Sequence, residues 1–413
     1  MTIPSSMSSP SSPSSPAPAG AKPTLVPLVR PDLGEAEVDN AARVIRSGWV
    51  TQGPEVAAFE RELAACLGAP HAAAVANCTV ALELALRAVG VRPGDEVVTV
   101  SHSFVATANA IVAVGATPVF VDVIRATWGM DPVGLAKAIT AKTRAILCVH
   151  QVGLPCDIQA IVAIGAAHEI PVVEDAACAI GSEILVDGQW QKVGRPHGAV
   201  ACFSFHPRKV LTTGDGGLLT TRDATLDARF RLLRQHAMSI SDVQRHSAQD
   251  IVFEAYVEPA WNYRMTDLQA AIGRSQLARL DATIAERRRL ADRYRAALLN
   301  NAVFVAPQDP PGTRANWQSY PTTLRPGLAM TQREIMKAFL DAGIATKRGV
   351  SNAHQEPAYS DGTRSRIVDG GLPNSEFLRD NVVLLPLFHG MTNDEQARVI
   401  AVCQQLDATT RTG

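Results

Sequence analysis

The feature that most constrains this chain is an alternation, from residue 72 to residue 221, of short apolar segments with segments of helical periodicity. The apolar segments predict strands at Ala72–Ala76, Glu96–Val100, Thr117–Asp122, Ala145–Val149, Pro171–Glu174, Ala199–Phe203 and Leu218–Thr221. The helical segments predict helices at Thr79–Val89, Val105–Val114 and Ile158–His168. This alternation predicts an α/β fold, in which a mostly parallel sheet lies between helices.

The pattern changes near Thr266, where Thr266 and Gln269 carry the sequence signature of a helix start. We predict one long helix from there to about Leu299, with the charged residues 286–289 (Glu-Arg-Arg-Arg) on its solvated face. Further helices near Thr331–Ala342 and Thr392–Leu406 predict a smaller α+β region. We therefore expect a large domain at residues 25–285, which includes an N-terminal arm, and a small C-terminal domain at residues 286–413.

The composition excludes several classes of protein. Lys and Arg total 39 and Asp and Glu total 40, so the chain lacks the basic excess of a nucleic-acid-binding protein. The Ser/Pro-rich residues 1–24 have no apolar face to bury, and we expect them to form a disordered tail. The seven cysteines form no C-x-x-C pair, which argues against a zinc site and a disulfide framework and favours the cytoplasm. We predict no metal site.

One stretch is long enough to cross a membrane, because Val97–Val121 contains no Lys, Arg, Asp or Glu. Polar side chains interrupt it repeatedly, however, and such groups are costly in hydrocarbon. A buried strand–helix–strand unit fits the stretch better, so we expect no membrane span.

Ligands bind at the carboxyl ends of parallel strands, and three short segments after predicted strands carry polar or aromatic residues there. The segment Asn77-Cys78-Thr79 either caps the next helix or binds a phosphate through backbone N–H groups. Phe104 either belongs to the core or stacks on a planar cofactor. Asp175 either caps a helix or pairs with a protonated ring nitrogen.

Lys209 lies in a fourth segment, between aromatic residues and the glycine-rich residues 214–217. It either extends to solvent at the sheet edge or is a buried amine, whose pKa burial lowers so that it forms a Schiff base. An amine, an acid, a stacking ring and a phosphate cradle are together the parts that hold pyridoxal phosphate (PLP), whose ring nitrogen the acid keeps protonated.

From about Leu33 to Val402 the chain closely resembles the DegT/DnrJ/EryC1/StrS aminotransferases, sugar aminotransferases among the fold-type I PLP enzymes. The resemblance lies in five stretches: residues 48–54 (GWVTQGP), 103–110 (SFVATANA), 174–177 (EDAA), 203–217 (FSFHPRKVLTTGDGG) and 262–269 (NYRMTDLQ). It implies a large PLP-binding domain with a mostly parallel sheet and a smaller C-terminal α+β domain.

The resemblance also implies roles for individual residues. Lys209 would form the Schiff base with the cofactor and carry protons, Asp175 would pair with the ring nitrogen, and Phe104 would stack on the ring. Cys78, Thr79 and Ser204 would hold the phosphate. Asn262 and Arg264 would reach the cofactor of the neighbouring subunit, which implies a homodimer with shared active sites. Cys178 stands where many members have Gln next to the cofactor's ring hydroxyl.

The function that follows is transfer of an amino group from L-glutamate or glutamine to a keto group of a nucleotide-linked sugar, by a ping-pong mechanism through Lys209. One alternative is a PLP-binding regulatory relative without catalysis. Another is a PLP-dependent sugar dehydratase, although that branch has His where this chain has Lys209. A nucleotide-dependent oxidoreductase would need a G-x-G-x-x-G motif after the first strand, and residues 76–79 do not form one.

Overall fold

The computed structural model of the protein describes residues 25–240, 245, 250, 251 and 253–412. The predicted Ser/Pro-rich tail, residues 1–24, lies outside the described residues.

An eight-stranded sheet forms the centre of the molecule. Its strands are β1 (His71–Val75), β2 (Glu96–Val100), β3 (Thr117–Val121), β4 (Thr143–Val149), β5 (Val172–Asp175), β8 (Val200–Ser204), β9 (Gly217–Thr221) and β14 (Arg366–Ile367). The spatial order is β1-β9-β8-β5-β4-β2-β3-β14, and β9 alone in this sheet runs antiparallel to its neighbours. The predicted mostly parallel sheet is therefore confirmed, and every predicted strand lies within two residues of its expected bounds.

Helices cover the sheet and build the N-terminal part of the chain. They are α1 (Glu35–Ser47), α2 (Pro54–Leu67), α3 (Cys78–Ala88), α4 (Ala106–Ala113), α5 (Pro132–Ala138), α6 (Ile158–Ala167), α7 (Ala224–Leu233) and α8 (Asp267–Ala278). The strands between them are apolar on both faces because helices pack on both, and Val97, Val98, Val119 and Ile146 are fully buried. The uncharged stretch Val97–Val121 thus forms β2, α4 and β3, and no helix of the described residues is long and apolar enough to cross a membrane.

The C-terminal part contains a smaller antiparallel sheet of spatial order β10-β12-β15-β13. Its strands are β10 (Phe304–Val305), β12 (Tyr320–Leu324), β13 (Lys347–Arg348) and β15 (Val382–Leu385). The helices of this part are α9 (Leu280–Ala297), α10 (Gln332–Asp341), α11 (Pro373–Asn381) and α12 (Asn393–Thr412). A third sheet joins β6 (Glu183–Val186), β7 (Gln189–Lys192) and β11 (Thr313–Arg314) in the order β11-β6-β7.

Two expectations about the region after Thr266 are wrong. The single long helix is two helices, because α8 ends at Ala278 and α9 begins at Leu280, with the backbone of Arg279 outside helical geometry between them. The charged run is not wholly solvated: Arg287 is only 4% exposed. Its guanidinium donates to the carbonyl oxygens of Trp317, Gln318 and Leu387, and so it joins α9 to the segments before β12 and after β15. Periodicity cannot reveal such a contact, since its acceptors lie 30 to 100 residues away.

Residue 285 lies inside α9, and β14 from the C-terminal part joins the large sheet. The division into domains at residues 25–285 and 286–413 stays a prediction.

Candidate active site

Lys209 lies on the loop that connects β8 to β9, at the carboxyl end of the parallel strands. Backbone hydrogen bonds close this loop: Phe205 N–H donates to Gly216, Lys209 N–H to His206 and Thr213 N–H to Phe205. The Thr212 hydroxyl also donates to the Phe205 carbonyl oxygen, at 2.9 Å. These hydrogen bonds fix the backbone at Lys209, whose side chain is half-buried.

The amine of Lys209 donates to the thiol of Cys178, with 3.0 Å between Nζ and Sγ. Burial acts to lower the pKa of Lys209, but Cys178, Cys78 and Asp175 act in the opposite direction, and the pKa is raised above its usual value. The expectation that burial leaves this amine with a lowered pKa is therefore wrong for the protein without its cofactor. Three groups around the amine favour the charged form strongly enough to outweigh desolvation.

Asp175 is the last residue of β5 and is 5% exposed. Its Oδ2 accepts from the Thr107 hydroxyl at 2.8 Å and its Oδ1 from the backbone N–H of Ala177 at 3.1 Å. Burial raises the pKa of Asp175, while these two hydrogen bonds and the charge of Lys209 act to lower it. No α-helix follows β5 directly, so the alternative in which Asp175 caps a helix is excluded. A buried carboxylate with a raised pKa is stabilised by a cationic partner.

Phe104 precedes α4 and is 69% exposed, so the alternative in which it belongs to the core is wrong. Its carbonyl oxygen accepts from the N–H of Thr107, the residue whose hydroxyl holds Asp175. Thr107 thus contacts both the backbone of Phe104 and the carboxylate of Asp175. Thr107 was not predicted as a site residue, because a threonine inside a helix gives no sign in the sequence of what its hydroxyl contacts.

The N-terminus of α3 lies at the same edge of the sheet. Asn77 caps this helix by accepting from the N–H of Val80 at 3.1 Å, which confirms the capping alternative for Asn77 itself. Cys78 and Thr79 are the first two residues of the helix, whose N–H groups have no acceptor within the helix and can bind an anion. Cys78 is buried and Thr79 is exposed.

The start of β9 packs closely against this helix N-terminus. A Cβ atom at Gly217 would lie 2.5 Å from the carbonyl carbon and oxygen of Asn77 and 2.8 Å from the nitrogen of Cys78. Only glycine permits this approach. Gly217 pairs with Ser204 on β8 and with Val75 on β1, so the Ser204 hydroxyl and the start of α3 are brought to one edge.

Asn262 and Arg264 lie on a segment that runs beside β1. Arg264 forms a β-bridge with Val75, and the N–H of Ala76 donates to the carbonyl oxygen of Tyr263 at 2.8 Å. The backbone of this segment therefore lies next to the residues that lead into α3. The Asn262 side chain is exposed.

These residues fit PLP. The free N–H groups at the start of α3, the space left by Gly217, the buried carboxylate of Asp175 and the amine of Lys209 match its phosphate, ring nitrogen and aldehyde. The fit rests on the groups themselves, because each has the charge or hydrogen-bonding capacity that one part of this cofactor requires.

Comparisons with known proteins also indicate a PLP enzyme. The family model described as the DegT/DnrJ/EryC1/StrS aminotransferase family matches residues 31–404. The spore coat polysaccharide biosynthesis protein SpsC of Bacillus subtilis (strain 168) is 36% identical over 383 residues, which are 92% of this chain and 97% of SpsC. The crystal structure of S. venezuelae DesV in complex with a ketimine intermediate has a TM-score of 0.82 and 32% identity, covering 93% of this chain and 99% of DesV. Streptococcus pneumoniae Spr1654 in its PLP form has a TM-score of 0.83 and 26% identity, covering 94% of this chain and 99% of Spr1654.

The fold and the site define a PLP-dependent aminotransferase of the α/β type. The chain belongs to the DegT/DnrJ/EryC1/StrS aminotransferase family, and it is a sugar aminotransferase. The class of enzyme, the family and the cofactor that the resemblance implied are thus confirmed. This class replaces the regulatory, dehydratase and oxidoreductase alternatives.

Proposed function

We propose that the enzyme transfers the amino group of L-glutamate, or of glutamine, to the keto group of a nucleotide-linked sugar by a ping-pong mechanism. The observation that carries the proposal is the placement of the Lys209 amine among Cys178, Cys78 and Asp175 at the carboxyl edge of the sheet. A relative named for polysaccharide biosynthesis, SpsC, supports a sugar acceptor. In a ping-pong mechanism both substrates use one site in turn, and that site needs a group that forms a reversible covalent bond, as the amine of Lys209 can.

The residues around Lys209 have distinct proposed roles. When bound, PLP supplies a ring that draws electrons away from the carbon that carries the amino group. The amine of Lys209 would bond to the aldehyde carbon of the cofactor and would carry the proton that the reaction moves. Asp175, which the Thr107 hydroxyl orients, would stay ionised and would hold a proton on the ring nitrogen. Phe104 would cover the ring, and the N–H groups at the start of α3 would bind the phosphate together with the Thr79 and Ser204 hydroxyls.

We also propose that the enzyme is a cytoplasmic homodimer with shared active sites, in which Asn262 and Arg264 contact the phosphate of the partner's cofactor. The exposure of Phe104 and Asn262 in a single chain supports a partner at this edge. All seven cysteines are free, which supports a reducing compartment.

The test uses purified PLP-loaded enzyme, glutamate and glutamine as donors, and a panel of 3-keto and 4-keto nucleotide sugars. We expect glutamate or glutamine alone to bleach the cofactor's visible absorption band, and a keto-sugar nucleotide to restore it. Borohydride should fix the cofactor to Lys209, and Lys209→Ala should abolish both half-reactions. Unchanged turnover in Lys209→Ala, or restoration of the band by free sugars and not by nucleotide sugars, would refute the proposal.

A further inference from the structure

Two buried hydroxyl groups form a chain of hydrogen bonds that ends at the carboxylate of Asp175. The Thr107 hydroxyl is 2.8 Å from Oδ2 of Asp175, and the Ser103 hydroxyl is 2.7 Å from the Thr107 hydroxyl. Ser103 is 4% exposed, Thr107 1% and Asp175 5%, so bulk water competes little for these contacts. Hydrogen bonds in such a buried row polarise one another.

The direction of these hydrogen bonds follows from the number of protons. A threonine hydroxyl carries one proton, which Thr107 donates to the carboxylate of Asp175. Thr107 can then only accept from Ser103, so Ser103 is the donor in the contact between the two hydroxyls. The other carboxylate oxygen of Asp175 accepts from the N–H of Ala177, at 3.1 Å. Both oxygens therefore accept, and hydrogen bonds of this kind make a carboxylate a weaker base.

The backbone around Ser103 is held by contacts with other parts of the chain. Ser103 lies just after β2, and its N–H donates to the carbonyl oxygen of Ser101 at 2.8 Å. The side chain of Gln151 donates to the carbonyl oxygen of His102. His102 also forms a β-bridge with Asn352 of the C-terminal part, and 2.9 Å separates their side chains. These contacts hold the Ser103 hydroxyl beside Thr107.

The Thr107 hydroxyl has a competing acceptor within its own helix. A threonine in a helix can rotate and donate to the carbonyl oxygen three or four residues earlier. Thr107 is the second residue of α4, and those carbonyl oxygens belong to Phe104 and Ser103. The donor at Ser103 opposes this rotation, because the Thr107 oxygen accepts one hydrogen bond and donates another only in the orientation that reaches Asp175.

Ser101 provides a matched comparison on the same segment. It is also fully buried, and it lies two residues before Ser103. Its hydroxyl contacts Nδ1 of His354 at 2.6 Å and accepts from the N–H of His354 at 3.0 Å. A change to alanine removes the same group from Ser101 and from Ser103, but only the change at Ser103 shortens the chain that ends at Asp175.

We propose that Ser103 is a positioning residue for amino transfer: its hydroxyl directs the proton of Thr107 to Asp175, and Asp175 remains a weak enough base to leave a proton on the ring nitrogen of PLP. This inference rests on the proposed function, in which Asp175 pairs with that nitrogen. It adds the residue that acts on Asp175 through one intervening hydroxyl.

The experiment loads the enzyme with PLP that carries ¹⁵N in its ring and measures the ¹⁵N chemical shift, which reports whether the proton lies on the nitrogen or on the carboxyl. We expect the ratio of the two proton positions to fall about tenfold in Thr107→Val, the effect of one hydrogen bond to a charged group. Ser103→Ala should lower it about threefold, because the lost hydrogen bond joins two neutral groups. Thr107→Ser, which keeps the hydroxyl, should restore the wild-type signal, and Ser101→Ala should match wild type.

The double variant Ser103→Ala/Thr107→Val separates an action through Thr107 from a general loss of structure. Because Ser103 acts through the Thr107 hydroxyl, the double variant should give the same signal as Thr107→Val alone. Ser103→Cys has a weaker donor of similar shape and should give a smaller shift than Ser103→Ala, so it tests the same contact if the alanine variant does not fold. The inference is overturned if Ser103→Ala and Ser101→Ala give the same signal, if the Ser103→Cys signal matches wild type when that variant alone folds, or if Ser103→Ala shifts the signal equally with and without the Thr107 hydroxyl.

Failure of the proposed pairing is a different result. Asp175→Asn removes the carboxylate itself, and we expect it to move the ¹⁵N signal to the position of an unprotonated ring nitrogen. If Asp175→Asn leaves the signal where it is in wild type, Asp175 does not hold the proton and the proposed role of Asp175 is wrong. If Asp175→Asn moves the signal and Ser103→Ala does not, the role of Asp175 stands and only the inference about Ser103 is lost.

Discussion

The contact between Lys209 and Cys178 acts to raise the pKa of the reactive amine. Cys178 is the strongest of the groups that raise the pKa of Lys209 against desolvation. We predict that Cys178→Ala lowers this pKa, so that a larger fraction of the amine is neutral at pH 7 to 8 and able to attack the cofactor's aldehyde. The rate at which cofactor-free protein takes up PLP should therefore rise, and its pH dependence should move to lower pH.

Stopped-flow absorbance of PLP uptake across a range of pH measures this shift. Cys66→Ala is the control, because Cys66 contacts Lys192 instead, at 3.6 Å. An unchanged pH profile in Cys178→Ala would show that the thiol does not control the amine.

Phe104 offers a second prediction at this scale, because a large apolar side chain that is 69% exposed contributes little to the stability of a single chain. We expect Phe104→Ala to leave thermal unfolding of the cofactor-free protein nearly unchanged. Loss of an aromatic stacking contact of about 1 kcal/mol should weaken PLP binding roughly fivefold. Equilibrium dialysis measures the affinity, and equal affinity in both proteins would contradict the stacking role.

Among the secondary-structure elements, α2 is joined to β1 and to the α7 region by the buried carboxylate of Glu60. Glu60, 5% exposed, pairs with Arg231 and Arg234 of the α7 region and accepts from the N–H of Ala74 on β1. Burial raises its pKa, but the two arginines and these hydrogen bonds lower it below the usual 4.5. Because Arg234 is itself buried, removal of the carboxylate charge leaves a guanidinium without compensation.

We predict that Glu60→Gln lowers the free energy of unfolding at pH 7 by about 3 kcal/mol. The stabilisation by the Glu60 carboxylate is fully present above pH 4.5 and is lost as the pH falls through its lower pKa in the folded state. The difference in unfolding free energy between wild type and Glu60→Gln should therefore be smaller in acid. Urea unfolding at pH 7 and at pH 4 measures both effects. Glu62→Gln on the same helix is the control: its pair with Arg274 is partly exposed and should contribute at most about 1 kcal/mol. A gap that widens in acid would contradict the assignment.

At the scale of the whole molecule, the proposed sharing of active sites can be tested by mixing subunits. Lys209→Ala subunits lack the amine, and subunits with both Asn262→Ala and Arg264→Ala lack the contact that each would make to its partner. Because a two-fold dimer shares equivalent sites, a mixed dimer should contain one intact site, and an equal mixture should recover up to about a quarter of wild-type activity. Activity assays after subunit exchange measure this, and a mixture no more active than its components would refute sharing.

Much of the architecture followed from local pattern. The predicted strands are present, because parallel strands buried on both faces leave short apolar runs that are visible in sequence. The break at Arg279 was not visible, because the residues on both sides of it keep helical composition. Among the site residues, Lys209 and Asp175 were recognisable as polar residues at strand ends. Thr107 was not, because a threonine inside a helix gives no sign of what its hydroxyl contacts.

The sequence by itself determined the α/β class, the order of the elements and the residues that follow each strand, since periodicity and strand ends are properties of neighbouring residues. Only the tertiary structure decided which of those residues meet. The hydroxyl of Thr107 reaches Asp175 across 68 positions, and the amine of Lys209 reaches the thiol of Cys178 across 31. Strand order and the packing of helices on the sheet fix these contacts, and both depend on interactions between segments far apart in the chain.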